Sequence, residues 1–477
     1  MNFRSQVLSG LRWVAGTRIL SQLFTWVVTI VVVRILTPAD YGLLAMASVF
    51  IDFLTMMAQF GVGAAMVQAA EIDERKLRQM FGFGCMVNLG LFGVTFFAAP
   101  LIAEFFQEPR LVAMVRALSV QYVFMIFALI PSATLSRDLA YKKLSLVDLS
   151  TAIVTSLTSL ALALTGSGVW ALVWGSLVGA LWRTAGLNLF SPFLRWPEFS
   201  LQGTRQLLFF GGNVTVTRIL WFFYSQSDVI IAGKLLGKEL LGFYSIAMNL
   251  ASLPANRISA IVNQVSFPAF ARIQGDRGKY ASSFLLAVRM QSLCMFPVLW
   301  GMSSIAPELV HVLLGSKWLS AALPLQLLAL IMPVHMLAPF MNTAAEGIGR
   351  PDIALKQVAL ASLIMPVAFL IGSRWGLTGI AVAWVAAFPL VFAGAMLLFL
   401  PVIGLRVGDL LGAMARPVLA SLGMYAMVSV ARISLEPATD HLARMTLLIV
   451  VGMVVYGVLT MLVNRGGYRE LRGMLRG

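Results

Sequence analysis

Five arginines of this 477-residue chain lie at one depth, if the apolar stretches that contain them cross a bilayer. Arg18 and Arg218 each stand about 24 Å, at 1.5 Å per residue, from the basic residue that ends their stretch. A guanidinium group stays charged and matches phosphate oxygens bidentately. A ring of arginines at one depth therefore predicts a site for a phosphorylated headgroup. Alternatively, each arginine reaches its nearest headgroups by snorkelling. The five are Arg18, Arg183, Arg218, Arg257 and Arg289. We assign substrate binding to Arg18, Arg218, Arg257 and Arg289.

Amides form a second polar pattern. Asn249, Asn256 and Asn263 follow one another at heptad steps and therefore share one face of a helix. Amide groups hydrogen-bond well to sugar hydroxyls, so we predict that this stripe binds the sugar part of a substrate. The alternative is that the amides hydrogen-bond to neighbouring helices across a packed interface.

Two carboxylates, Asp52 and Asp228, lie deep in apolar stretches. A carboxylate in a cavity that opens alternately to the two sides can load and release H⁺ or Na⁺, so we predict that one of them binds a coupling ion. A structural salt bridge to a buried arginine is the alternative, and a weaker candidate for the ion is His335. No nucleophile motif, phosphate loop or metal-ligand spacing occurs. We therefore expect no enzyme activity, no metal site and no cofactor beyond the coupling ion.

Composition identifies the elements that must position these groups. The chain is 59% apolar and 12% charged, and its mean hydropathy is +0.88. This predicts an all-α polytopic membrane protein. A span needs roughly 20 apolar residues, and about fourteen such segments occur, approximately 13–35, 40–67, 80–104, 111–135, 148–166, 169–190, 207–234, 240–267, 282–306, 319–345, 353–373, 376–400, 412–434 and 442–464.

The chain contains an internal repeat with an offset of 200 residues. Residues 17–47 align without a gap to residues 217–247, and eight of the 31 positions are identical, including Gly42 with Gly242. We therefore predict an N-terminal six-helix bundle (1–195), a second six-helix bundle (196–402), and two further helices with a basic tail (403–477). Repeats in the same orientation predict a binding cavity between the halves.

The net charge of +15 follows the loops. The segments predicted to lie inside hold 21 Lys and Arg, and those outside hold eight, which predicts cytoplasmic N- and C-termini and argues against a nucleic-acid partner. The longest outside loop, around residues 307–319, leaves no room for a catalytic domain. Pro324, Pro333 and Pro339 predict that the helix at 319–345 is broken.

Several runs of residues resemble one transporter family. They are Arg34–Gly42 (RILTPADYG), Gly61–Gln68 (GVGAAMVQ), Asp228–Gly237 (DVIIAGKLLG), Leu241–Ala247 (LGFYSIA), Gly315–Trp318 (GSKW) and Glu346–Arg350 (EGIGR). Together they identify the chain as similar to the polysaccharide-transporter family of the multidrug, oligosaccharidyl-lipid and polysaccharide exporter superfamily. The resemblance covers almost the whole chain.

The resemblance implies two six-helix bundles around a central cavity, in a bacterial inner-membrane flippase for undecaprenyl-pyrophosphate-linked oligosaccharides. It implies alternating access driven by an ion gradient or membrane potential, with cavity arginines on the anionic headgroup. The expected partners are the lipid-linked oligosaccharide, the bilayer, and other assembly proteins such as a polymerase or chain-length regulator. The alternatives are a cation-coupled multidrug exporter, which predicts an anionic cavity, a polymerase or ligase, which needs a large periplasmic loop, and an assembly scaffold.

Overall fold

A computed structural model describes residues 3–58, 74–199, 212–273, 276–435 and 440–463, and all regular structure within these ranges is helical. In chain order the helices are α1 (Phe3–Ile35), α2 (Pro38–Ala58), α3 (Glu74–Phe106), α4 (Arg110–Arg137), α5 (Tyr141–Leu164), α6 (Trp170–Phe190), α7 (Gly212–Ile273), α8 (Arg277–Ser304), α9 (Ala306–Leu314), α10 (Ala322–His335), α11 (Leu337–Gly347), α12 (Pro351–Gly372), α13 (Gly376–Phe399), α14 (Val407–Ser434) and α15 (His441–Val463).

The predicted all-α polytopic membrane fold is confirmed. Within the described ranges, nine helical stretches are long and apolar enough to cross a membrane, and one of them, Pro351–Ile403, includes both α12 and α13. The stretch Leu20–Ile35 is apolar but shorter. Each of the fourteen predicted segments overlaps a helix, while the count of fourteen spans stays a prediction.

In three places the structure is more complex than a series of uninterrupted membrane-spanning helices joined by irregular loops. From residue 212 on, segments 207–234 and 240–267 lie in the range labelled α7, where two helices meet at a kink because Gly237 has non-helical dihedral angles (φ 80°, ψ 177°). Segment 319–345 is broken as expected, since α10 ends at His335 and α11 begins at Leu337. The segment predicted as an outside loop at 307–319 is helical rather than irregular, since it contains α9 and the beginning of a 3-10 turn, Ser316–Ala321, and its side of the membrane stays a prediction.

The chain divides into two compact units. Unit 1 contains residues Met1–Ile219 together with Gly237–Gly242, and unit 2 contains Leu220–Leu236 and Phe243–Gly477. Helix α7 therefore contributes residues to both units. The predicted domain boundaries at 195/196 and 402/403 stay predictions.

In unit 1, apolar side chains of α3 and α4 form one buried cluster, which includes Phe81, Cys85 and Ile130. A second cluster joins α1 to α5 and α6 and includes Val28 and Ala163. These clusters hold the helices side by side.

The turn between α1 and α2 packs directly on the segment Gly237–Gly242 of the same unit. A Cβ atom on Gly42 would lie 1.7 Å from the carbonyl oxygen of Lys238, and one on Gly242 would lie 1.8 Å from that of Pro38. Positions 38 and 42 are equivalent to 238 and 242 in the repeat, so the contact is reciprocal. Only glycine permits this approach of backbone to backbone. We call the two contacts the paired glycine contact.

Unit 2 has an aromatic core. Phe284 stacks on Phe340 with ring centroids 5.6 Å apart, and Phe270, Tyr280 and Phe399 surround the pair. At the break between α10 and α11, Gln291 Nε2 donates to the carbonyl of Met336 (3.2 Å). The break is thereby supported from α8.

A buried charge network attaches α9 to the last two helices of unit 2. Glu308 Oε1 accepts from Arg432 Nε (2.9 Å) and forms an ion pair with Arg444 Nη2 (3.2 Å). The side chains of Glu308 and Arg444 are only 3% and 7% exposed. One carboxylate therefore neutralises part of the charge of two guanidinium groups away from solvent.

Candidate functional site

Asp228 is the centre of a buried polar cluster in unit 2. Its side chain lies on α7, nine residues before the Gly237 break, and the residue is 2% exposed. Oδ2 accepts a hydrogen bond from Tyr244 Oη (2.5 Å), and Oδ1 accepts one from the backbone N–H of Val229 (2.8 Å). Both carboxylate oxygens thus have a donor.

Helix α13 extends this arrangement. Trp384 Nε1 donates to Tyr244 Oη over 2.8 Å, and Tyr244 is fully buried. An indole N–H can only donate, so the hydroxyl of Tyr244 accepts a hydrogen bond from Trp384 and donates its own hydrogen bond to Asp228. The chain of hydrogen bonds therefore has one direction, and the carboxylate is its final acceptor.

Helix α10 contributes His335 to the same region. His335 Nε2 lies 3.2 Å from the hydroxyl oxygen of Tyr224, which is one helical turn before Asp228 on α7. The imidazole contacts the ring of Trp384 edge-on, with centroids 5.0 Å apart. His335 Nδ1 is buried without a hydrogen-bond partner. We call Tyr224, Asp228, Tyr244, His335 and Trp384 the Asp228 cluster.

The structure brings together two residues that the sequence predicted separately, Asp228 and His335. Sequence reasoning missed Tyr224, Tyr244 and Trp384. For Tyr224 a signal was available, because it lies at i−4 from Asp228 and therefore on the same face of α7. Trp384 is distant in sequence and shares no pattern with the others.

The other predicted site residues lie as follows. Asn249, Asn256 and Arg257 are exposed on α7, and Arg289 is half-buried on α8. Asp52 is exposed on α2. The side chains of Arg18, Arg218 and Asn263 lie outside the described residues, although all three positions are helical. The assignments of these residues to substrate or ion therefore stay predictions.

Arg183 and Arg116, the other two arginines of the apolar stretches, contact nearby groups. Arg183 Nε lies 3.3 Å from Asp148 Oδ1 in an exposed ion pair between α6 and α5. Arg116 Nε donates to the carbonyl of Phe96 (3.3 Å), and its guanidinium lies 4.8 Å from the centre of the Phe96 ring.

Unit 2 also contains an apolar cavity of about 740 Å³ between α7, α8, α14 and α15. Its lining includes Pro254, Ile258, Val298, Met302, Met424 and Tyr456.

Across the described ranges, no group of three or more His, Cys, Asp or Glu side chains has an arrangement that could hold a metal ion.

Known proteins resemble this chain over most of its length. The succinoglycan biosynthesis transport protein ExoT of Rhizobium meliloti is 27% identical over 477 residues, covering 94% of this chain and 91% of ExoT. The lipopolysaccharide biosynthesis protein WzxC of Escherichia coli K12 is 24% identical over 383 residues, covering 78% of this chain and 76% of WzxC. Among solved structures, the lipid II flippase MurJ in an inward closed conformation has a TM-score of 0.73 at 15% identity, covering 95% of this chain and 98% of MurJ.

These matches confirm the resemblance that the sequence motifs indicated and the expectation of a transporter rather than an enzyme. The likeness to MurJ extends over the whole fold. Residues 31–323, more than half of the chain, match the family described as Polysaccharide biosynthesis protein. This protein is therefore a member of the polysaccharide biosynthesis protein family, with the fold of a polytopic membrane transporter.

Proposed function

We propose that this protein flips undecaprenyl-pyrophosphate-linked oligosaccharides across the bacterial inner membrane for the assembly of O-antigen, capsule or exopolysaccharide. The observation that carries the proposal is likeness over the whole length, to a polysaccharide transport protein in sequence and to a lipid II flippase in fold. The repeat units would enter from the cytoplasm, where both termini would also lie, and leave on the opposite side.

The polar face of α7 would bind the headgroup. Asn249, Asn256 and Arg257 are exposed on this helix. Amides can bind the sugar hydroxyls, and the arginine can bind the pyrophosphate bidentately. Arg289 and Asn263 of the same unit would contribute to this site, and Arg18 and Arg218 are the arginines that the sequence assigns to the headgroup.

The apolar cavity of unit 2 would hold part of the isoprenoid chain. Its lining is almost entirely apolar, and burial of a hydrocarbon chain in such a cavity is favourable in proportion to the apolar area removed from water. A lipid-linked substrate needs a polar and an apolar subsite within reach of each other. Helix α7 belongs to both, because Pro254, which lies in the sequence between Asn249 and Asn256, lines the cavity.

The Asp228 cluster would couple transport to H⁺ or Na⁺. Asp228 is a buried carboxylate whose two donors, Tyr244 and Val229, fix its orientation. Loading a cation there neutralises the buried charge, so binding and release of the ion can bias a conformational equilibrium. Asp52, exposed on α2, is a second candidate for this role.

The test is the flipping of a fluorescent undecaprenyl-pyrophosphate oligosaccharide in proteoliposomes, with and without an imposed membrane potential or ion gradient. Arg18→Ala/Arg218→Ala should abolish flipping by the reconstituted protein. Arg374→Ala is the matched control, because Arg374 is exposed in a 3-10 turn outside the proposed site. Equal flipping by wild type and double variant would move the headgroup site elsewhere. Absence of flipping by the folded wild-type protein would refute the proposed substrate.

Coupling is tested separately with Asp228→Asn. This variant should retain substrate binding but lose the acceleration produced by an ion gradient. Asp138→Asn, in an exposed loop position, should behave as wild type. If Asp228→Asn responds to the gradient normally and Asp52→Asn does not, the coupling site is at Asp52.

A further inference from the structure

Residues 191–199 connect α6 to the chain that leads into α7, and they form no helix. This connection is fixed to the beginning of α3 by hydrogen bonds. The Glu198 N–H donates to the carbonyl of Arg78 (3.1 Å), and Arg78 Nε donates to the carbonyl of Trp196 (3.1 Å). Glu198 Oε1 also accepts from Arg75 Nε (3.0 Å). The backbone of the connection therefore has a defined position.

The side chains of the connection point in two directions. Phe193 packs against Phe81 of α3, with ring centroids 5.4 Å apart. Leu194 is 89% exposed, Trp196 is 86% exposed and Phe199 is 63% exposed. Three large apolar side chains are therefore exposed on a connection whose backbone is hydrogen-bonded to α3 at Trp196 and Glu198.

Basic groups surround these apolar side chains. Arg75 and Arg195 are exposed, and each forms an ion pair across the contact, with Glu198 and Glu74 respectively (3.0 and 3.2 Å). Arg78 and Lys76 stand in the same first turns of α3. Among the residues that the structure describes at this contact, these six carry four positive and two negative charges.

We propose that residues 191–199 form a membrane-interface anchor, in which Leu194, Trp196 and Phe199 insert at the boundary between the headgroups and acyl chains of an anionic leaflet. Tryptophan is enriched at this depth because its ring is apolar and its N–H is polar. The basic groups attract anionic headgroups. The anchor fixes the depth of the connection between the two repeats.

Lipid fits this surface better than a protein partner does, because the apolar surface continues along α6. Leu181, Trp182 and Leu189 of that helix are also exposed, at 50%, 48% and 81%. The sequence predicts a span at 169–190, which contains α6, and the 21 residues of this helix are enough at 1.5 Å each to cross a hydrocarbon core of about 30 Å. The exposed residues of the connection therefore extend a surface that faces acyl chains.

The proposal is tested with a fluorophore on Leu194→Cys, in a full-length chain that carries Cys85→Ala and Cys294→Ala. The labelled protein is placed in nanodiscs of phosphatidylethanolamine and phosphatidylglycerol. Quenching is measured with doxyl-labelled lipid and with aqueous iodide. Asp138→Cys provides the control, since Asp138 is exposed in a polar loop that the sequence predicts on the same side of the membrane.

The expected result is several-fold stronger quenching by the doxyl lipid at position 194 than at position 138, with the reverse order for iodide. Equal access of iodide to both positions would overturn the proposal, because the side chain would then be in water. Shielding of position 194 from both quenchers would also overturn it, since protein would then cover the surface. Trp196→Cys repeats the test if Leu194→Cys does not fold, which size-exclusion chromatography will reveal.

Discussion

At the scale of single residues, Glu308 is the acid on which two guanidinium groups depend. Glu308→Ala leaves Arg432 and Arg444 without their carboxylate, and Arg444 is 7% exposed. Removing one partner of a buried ion pair costs about 3–5 kcal/mol, so we expect a marked fall in the unfolding temperature in detergent. The control is Asp352→Ala, which breaks an exposed pair with Arg350 and should leave this temperature nearly unchanged. Equal effects of the two variants would contradict the prediction.

Tyr244 links Trp384 to Asp228. Tyr244→Phe removes only the hydroxyl group and leaves the Trp384 N–H and one carboxylate oxygen without this partner. We expect a destabilisation of about 1–3 kcal/mol, together with a weaker response of transport to an ion gradient. Tyr280→Phe is the matched control, because its hydroxyl donates to the Ala344 carbonyl (2.6 Å) away from the cluster. The same loss of coupling in both variants would show that Tyr244 has no special role.

At the scale of elements, the contact of the connection with α3 depends on pH. The hydrogen bond from Arg75, with help from Gln79 and Arg78, lowers the pKa of Glu198 below its usual value of 4.5. A lowered pKa means that the ionised form stabilises the contact above the usual pKa, and this stabilisation is lost as pH falls through the lowered value. A spin label on Leu194→Cys in detergent should therefore become more mobile below pH 4.5.

Glu198→Gln provides the control for this pH dependence. The amide cannot titrate, so the label should show nearly the same mobility at neutral and acidic pH. A wild-type label whose mobility does not change with acidification would contradict the prediction. So would an unchanged pH response in the Glu198→Gln variant.

The paired glycine contact gives a prediction for the first helical hairpin. Replacing glycine by alanine inside a helix usually stabilises it by about 0.5–1 kcal/mol. Gly42→Ala should do the opposite, because its Cβ would overlap the Lys238 carbonyl oxygen. Gly408→Ala is the control, since nothing lies within 4 Å of a Cβ at that position on α14. Thermal unfolding of both variants in detergent checks the prediction, and a stabilised Gly42→Ala variant would contradict it.

At the scale of the whole molecule, the distribution of charges predicts which loops face the cytoplasm. A membrane-impermeant maleimide should label Ser316→Cys on intact cells, and it should label Lys142→Cys only after the membrane is permeabilised. Both residues are exposed, which makes them accessible reporters, and the native cysteines are replaced by alanine. The reverse labelling pattern would invert the proposed orientation.

Most of the fold could be predicted from the sequence, because membrane helices need long apolar stretches and these are visible without tertiary contacts. The break between α10 and α11 could also be predicted, because Pro333 and Pro339 lie close to it in the sequence. The helix α9 was missed because its nine residues are too few for a span, and its buried Glu308 is explained only by arginines more than a hundred positions away. The Asp228 cluster could be predicted only in part from the sequence, because some of its residues meet only in the folded chain. Asp228 and His335 are conspicuous in apolar stretches, whereas Trp384 and Tyr244 join them only through packing.

The paired glycine contact also bears on the origin of the chain. If a single ancestral gene encoded one repeat, two copies of its product could have met as a homodimer around a two-fold axis. Position 42 of each subunit would then have touched position 38 of the other, and a single glycine in the gene would have made both contacts possible. Duplication and fusion would then have separated this residue into positions 42 and 242. Each half has since been able to diverge in sequence, but its glycine remains tied to the backbone of the other copy.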